Sequence, residues 1–318
     1  MPITIPRRNF LHLATLAAFG IAAGCGGTPA GTVPAPASAR GSLVIVGGGP
    51  RPPELRERFV QLAGGPGKAS IVVFAMASSE GRESGEEEAK TLRDMGVDAV
   101  SLYITREEAG TDSVVNRVAR ATGVWFGGGD QSRLTATLKG TRTEAMMHER
   151  YRAGAVFGGT SAGAAVMSRI MLTGDERRRG GDRYPSDSSE ANLTIERGNV
   201  VTSEGFAFLE GAIVDQHFVR RKRHNRLLTL VLENPSLVGV GVDESTALVV
   251  TPDGKWSVLG KSVAIVYDAR SARVTGVGVP TLGATGLKVH VLPAGASFDP
   301  RSGEAQLPWR RQRAETLR

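Results

Sequence analysis

Cysteine is almost missing from the 318 residues: Cys25 is the only one. That excludes an internal disulfide framework and a cysteine-based zinc cluster. A catalytic thiol would have to be Cys25, inside what reads as a leader. Aromatic residues make up 5% and histidines number five, so a base-stacking platform is unsupported and a general base has few possible positions. No HExxH pair, Walker lysine, zinc-finger, helix-turn-helix or RNA-binding signature occurs, and no repeat with a period of roughly 20 to 50 residues is visible. The longest mostly apolar run, Leu13 to Ala23, is too short to cross a bilayer as a helix. No metal, cofactor or nucleic acid is indicated by any motif.

What is present points to an exported globular chain. Hydrophobic residues make up 41%, enough to bury a core in one large domain. The net charge of +7 and pI of about 9.9 favour acidic partners, yet Lys and Arg are spread among acidic residues instead of forming a stripe. Arg7 and Arg8 precede Asn9-Phe10-Leu11 and the apolar run, as in a signal for export of folded protein. Ala22-Ala23-Gly24-Cys25 resembles a lipoprotein processing site at which Cys25 becomes lipidated. Ala instead of the commoner Leu three residues before Cys25 leaves cleavage without lipidation open. We therefore read residues 1–25 as a signal segment, 26–41 as a Gly/Pro/Ala-rich tether, 42–300 as the folded domain and 301–318 as a basic tail. The expected location is periplasmic or extracellular, with membrane contact only through a lipid anchor.

From Ser42 onward, β-branched runs alternate with helical spacing. SLVIVGGG, SIVVFAMAS from Ser70, Ala99–Ile104, Val124–Phe126 and Ala153–Phe157 read as strands; Pro53–Leu62, Glu86–Met95 and Ser113–Thr122 read as helices. The pattern predicts an α/β fold, a doubly wound, mostly parallel sheet with helices on both faces. The second half, richer in strands, is expected to finish that sheet and add antiparallel strands. Thr173–Asn192, charged and arginine-rich, reads as a solvated loop.

Gly159-Thr160-Ser161-Ala162-Gly163 matches the nucleophile-elbow pattern. A strand (AGAVF) leads in and a small-residue helix (AAVMS) leads out, so the Ser161 hydroxyl is expected at the carboxyl edge of the sheet, with the Ala162 amide free to stabilise an oxyanion. A glycine-rich turn whose serine only caps a helix fits the same residues. Serine needs a base. His12 lies in the leader, His148 on a surface helix, His224 in a charged run and His290 on a half-buried strand. His217, ending the apolar AIVDQHF, is the best placed. Glu244, after LVGVGVD, is the candidate acid, with Asp243 its near competitor. VWFGGGDQ, Val124 to Gln131, ends a strand in three glycines, and Gly128 or Gly129 could supply the second oxyanion donor. Neither this loop nor Gly47-Gly48-Gly49 continues into a dinucleotide fingerprint.

These segments together, with EGFAFLEGAIVDQHFVRRKRHNRLL, GVGVDESTALVV and LKVHVLPAGASFD, resemble the cyanophycinase and peptidase E family of serine peptidases. They run in that family's order from about Ser42 to Pro300, and DQHF favours the cyanophycinase branch. The resemblance implies a glutamine-amidotransferase-like α/β fold, and Ser161 as nucleophile, His217 as base and Glu244 as its orienting acid. It also implies that Gln131, Asp215, Arg223 and Arg226 hold substrate, although Arg223 could equally be surface charge on a helix. The implied reaction, which needs no cofactor, is hydrolysis of an aspartyl-arginine polymer to dipeptides through an acyl-enzyme. The partner is then cyanophycin or an isoaspartyl peptide, and a homodimer is compatible with the sequence. A general esterase and a catalytically silent peptide-binding lipoprotein are the alternatives to be tested.

Overall fold

The computed structural model describes residues 41–177, 183–184 and 193–308. The leader, Cys25 and most of the tether lie outside the described residues, as do much of the arginine-rich segment and residues 309–318. Nine strands form the main sheet, in the order β18 (Glu304–Gln306), β17 (Ser297–Asp299), β12 (Trp256–Gly260), β11 (Thr246–Val250), β1 (Leu43–Val46), β5 (Val156–Thr160), β4 (Gly123–Phe126), β2 (Ser70–Phe74), β3 (Asp98–Leu102). From β1 to β3 neighbouring strands are parallel, and from β1 to β18 they are antiparallel. A second sheet has the order β16 (Lys288–Pro293), β13 (Val263–Asp268), β10 (Val238–Val242), β9 (Ala212–Gln216). A small sheet joins β7 (Arg183–Tyr184), β6 (Ile170–Arg177) and β8 (Val200–Glu204), and a two-stranded ribbon pairs β14 (Arg273–Val274) with β15 (Ala284–Thr285).

The unbroken hydrophobic runs arise because both sheet faces are covered. In β1, Leu43 and Ile45 enter one core while Val44 and Val46 enter another. The second core is closed by α1 (Pro53–Leu62) and α2 (Gly81–Asp94), through Leu55, Phe59, Ala89 and Leu92. The first is closed by α3 (Asp112–Arg120), α4 (Gln131–Leu138), α5 (Arg142–Arg152) and α6 (Ala162–Ala165). Strand spacing places Val214, Val240 and Val242 of the second sheet in that same core, while Ile213 and Ile265 face α7 (His224–Glu233). The expected architecture of a largely parallel sheet between helices, with added antiparallel strands, is present.

Several boundaries differ from the sequence reading. The strand expected at Ala153–Phe157 starts later, because Ala153 closes α5 and Gly154 turns at φ 106°. It then runs through Gly158 and Gly159, which read as breakers but are small for packing: a Cβ on Gly158 would lie 2.8 Å from the Trp125 ring, and one on Gly159 would lie 2.5 Å from the Gly163 carbonyl oxygen. The helix after Ser161 is a single turn. The α2 helix starts at Gly81, five residues before the expected Glu86, since Gly81 and Gly85 pack closely on Tyr103 and Ser101. The second half builds its own sheet as well as extending the first. Thr173–Arg177 belongs to β6, with Glu176 buried, so that part is not a solvated loop. Gly41 is already buried against Tyr151, and β18 extends the sheet past residue 301.

Candidate active site

Strand register brings the candidate residues to one edge. Parallel pairing sets Val46 of β1 opposite Thr160 of β5, so Gly47 and Ser161 emerge together. In the other sheet Gln216 of β9 lies opposite Val242 of β10, so His217 emerges beside Asp243 and Glu244. The turn Asp243–Ser245 then carries the chain from β10 into β11, next to β1. The two sheets therefore meet at their strand ends, with Ser161 from one, His217 from the other and Glu244 on the link between them.

Their side chains are hydrogen-bonded in series: Ser161 Oγ lies 2.8 Å from His217 Nε2, and His217 Nδ1 lies 2.6 Å from Glu244 Oε1. Ser161 and His217 both hold left-handed backbone, at φ 54° and 49°. Strain at two such neighbours marks a site fixed by its surroundings. The Ser161 amide donates to the Val46 carbonyl at 3.0 Å and the His217 amide to that of Gly47 at 2.7 Å, which hold both in place. Burial is the largest influence on the His217 imidazole and pulls its pKa below the ordinary value, outweighing the Glu244 hydrogen bond that raises it. At neutral pH the ring is thus uncharged and able to accept the hydroxyl proton.

Asp243 is excluded as the orienting acid. Its carboxylate accepts from the amides of Val219 and Arg220 and from the Ser262 hydroxyl, at 3.0, 2.9 and 2.7 Å. It braces the turn after His217. The other described histidines stand elsewhere: His224 bonds the Tyr267 hydroxyl at 2.9 Å, His148 packs on Phe208 and His290 on Phe298, while His12 lies outside the described residues.

Gly47-Gly48-Gly49, given no role by the sequence reading, forms the floor under the triad-like chain. At Gly48, with φ 110°, a Cβ would fall 2.3 Å from the His217 ring; at Gly49, one would fall 2.9 Å from the Glu244 carboxylate. Only bare backbone passes this close. Gly128 sits beside the nucleophile, the space for its Cβ lying 3.6 Å from Cβ of Ser161, whereas a Cβ on Gly129 would overlap the Ala77 carbonyl. As the first residue of a helical turn, Ala162 has no intrahelical acceptor for its N–H, so Ala162 and Gly128 flank Ser161 with amides able to donate.

A cavity of about 200 Å³ opens beside Ser161, walled by Gly129, Gln131, Gln216, Arg221, Arg223 and Arg226. Of the four residues expected to hold substrate, Gln131, Arg223 and Arg226 line it and Asp215 stands behind Arg226, in roles partly different from those expected. Asp215, 1% exposed, is not a free contact: it takes Arg226 in a two-point ion pair, with Arg226 Nε at 2.7 Å and Nη2 closer still. The guanidinium that Asp215 binds belongs to its own chain. Arg226 is 2% exposed, and its third nitrogen, Nη1, has no partner. Arg223 is buried, which overturns the surface-charge reading. It donates to the Gln216 carbonyl and side chain at 2.9 and 2.6 Å, and burial, then Arg226, pull its pKa down to about 9. Gln131 spends its amide nitrogen on the Leu172 and Thr173 carbonyls, both at 2.7 Å, tying α4 to β6. Gln216 and Arg221 complete the wall; the RRKR run hid Arg221 among residues that face solvent. Three guanidiniums, against the Asp130 carboxylate in the wall and the Asp215 carboxylate paired with Arg226, leave the cavity positive, suited to an anionic group. Among the described residues no cluster of His, Cys, Asp or Glu could hold a metal ion.

Comparisons with known proteins agree with this geometry. The model of "Peptidase family S51" matches residues 43–257. The cyanophycinase of Synechococcus elongatus is 31% identical over 278 residues, spanning 84% of this chain and 81% of its own. That of Trichormus variabilis is 32% identical over 274 residues, spanning 83% and 87%, and that of Geminocystis herdmanii 30% over 270, spanning 82% and 94%. Among solved structures, a peptidase from an acI-B1 Actinobacterium superposes with a TM-score of 0.59 at 23% identity, over 82% of this chain and 98% of its own, a likeness of fold. By the extent of the family match and of these relatives, the chain belongs to peptidase family S51, the serine-type peptidases.

Proposed function

We propose that the protein is an exported cyanophycinase, which cuts cyanophycin to β-aspartyl-arginine through an acyl-enzyme on Ser161. The observation that carries this reading is the hydrogen-bonded series Ser161, His217, Glu244 beside an arginine-walled cavity, in a chain 30–32% identical to several cyanophycinases. Ser161 Oγ attacks the scissile carbonyl as His217 Nε2 takes its proton. Glu244 holds Nδ1 and stabilises the imidazolium. The amides of Ala162 and Gly128 receive the oxyanion. Nε2 then protonates the leaving amine, the C–N bond breaks, and a water deprotonated at the same Nε2 hydrolyses the ester. Arg221, Arg223 and Arg226 hold a substrate carboxylate, the unpartnered Nη1 of Arg226 being the donor left over for it. The twin-arginine-like leader would deliver the chain beyond the cytoplasmic membrane, with Cys25 as its lipid anchor.

The test is to offer the protein insoluble cyanophycin, a set of α- and β-aspartyl dipeptides and simple acyl esters, following the amines and acids released. Release of β-aspartyl-arginine from the polymer is expected. Cleavage of short isoaspartyl peptides alone would replace the substrate with those peptides, and turnover of esters alone would make the protein an esterase.

A further inference from the structure

A second cavity, of about 180 Å³, lies on the other side of the nucleophile. Gly128 and Thr160 line it where Gly129 and Ser161 line the arginine-walled one. The ends of β4 and β5 thus divide two cavities, and Ser161 stands at the divide. Its wall includes Trp125, 2% exposed, with Phe59 packed edge-on at 5.0 Å. Gly158 runs under the Cε3–Cζ3 edge of the indole, which turns the opposite, N–H edge toward β2 and α2, where Val73, Gly85 and Glu88 close the cavity. That N–H is buried without a partner. A buried donor left unpaired is costly, and a ligand acceptor removes the cost.

The charges point the same way. The Arg51 guanidinium lies 5.7 Å over the Trp125 ring and pairs with Glu88 at 2.6 Å, while Arg56 reaches the same carboxylate at 3.2 Å. Arg51 of the lining and Arg56, which stands outside it, share the one Glu88 carboxylate, so Glu88 is already saturated with guanidinium donors. A guanidinium ligand would find Glu88 already taken, and an apolar ligand would leave the indole N–H unpaired. The volume is ample for one short acidic side chain or a terminal carboxylate.

We propose that this cavity is a second substrate subsite, which binds a carboxylate on the far side of the scissile bond through Arg51 and the Trp125 N–H. As a subsite it rests on the peptidase reading above, and it gives the protein selectivity for acidic groups on both sides of the bond cut. Two measurements test it. In 15N-labelled Ser161→Ala protein, the Trp125 indole N–H resonance, assigned by its loss in Trp125→Phe, is followed during titration with succinate or guanidinium. Succinate should shift it saturably and guanidinium should not. Adding Arg51→Met should weaken succinate about tenfold or more, the loss of one charge-assisted hydrogen bond, whereas adding Arg221→Gln should leave it within about twofold. No shift with succinate, or a shift indifferent to Arg51→Met, would overturn the proposal. In the active protein, Arg51→Met should lower kcat/KM about tenfold for a peptide with an acidic residue on the leaving side. It should not do so for one with alanine there; equal losses would contradict a subsite. If no aspartyl peptide is cut at all, the proposed function falls, while the indole titration still decides whether the cavity takes a carboxylate.

Discussion

Replacing Ser161 with alanine is expected to lower release of β-aspartyl-arginine by about 10⁴- to 10⁶-fold, the range seen when a serine nucleophile is removed. Folding should be little affected. The hydroxyl's one described hydrogen bond is to His217, and the segment is held by backbone: its amide on Val46, and its carbonyl accepting from Ala164 and Ala165 at 2.9 and 3.0 Å. Tm should therefore stay within about 3 °C of the parent. Activity measured on cyanophycin, with unfolding followed in parallel, separates loss of chemistry from loss of fold. A variant that keeps a tenth of the parent rate would remove Ser161 from the mechanism.

Glu244→Gln should be nearly as damaging, at about 10³- to 10⁴-fold in kcat, although it preserves shape. A carboxylate can only accept from Nδ1–H, which leaves Nε2 bare to take the serine proton. An amide can donate to Nδ1 instead and so favour the tautomer whose Nε2 is already protonated. Glu244 has 26% of its side chain exposed, so water can compete with the amide and the loss should fall toward the lower end. Steady-state rates on β-aspartyl peptides measure this. KM should change little, because Glu244 lies behind His217 as seen from Ser161; a purely KM effect would make Glu244 a binding residue instead.

The parts that could be read without a structure are those where one residue type has one reason to be present. The runs at Leu43–Val46 and Ser70–Phe74 are apolar on every residue but one because both faces are buried, and glycines around Ser161 mark a turn that larger residues cannot make. Long-range pairing is different. Nothing local says that Asp215 spends its charge on Arg226, eleven residues away, or that Gln131 spends its amide on carbonyls of β6. The same holds for Gly48, whose reason for being glycine is the ring of His217, brought there from another sheet. Arg223 resembles part of a solvated basic run, and only the turn after His217, pinned by Asp243, shows that it is buried and, with Arg221, lines the cavity while Arg220 and Lys222 face solvent. The end of the domain was misjudged for a related reason: Glu304–Gln306 is polar, but an edge strand with one covered face needs few apolar residues.

Covalent labelling of the protein with a fluorophosphonate, read by intact and peptide mass spectrometry over a range of pH, tests the central claim most directly. One phosphonyl group should appear on Ser161, and none on Ser161→Ala. Since burial holds the His217 pKa below its ordinary 6.5, the imidazole is neutral and active above that midpoint, and the labelling rate should fall only as pH drops through a value under 6.5. A protein that takes up no label, or takes it elsewhere than Ser161, would contradict the account.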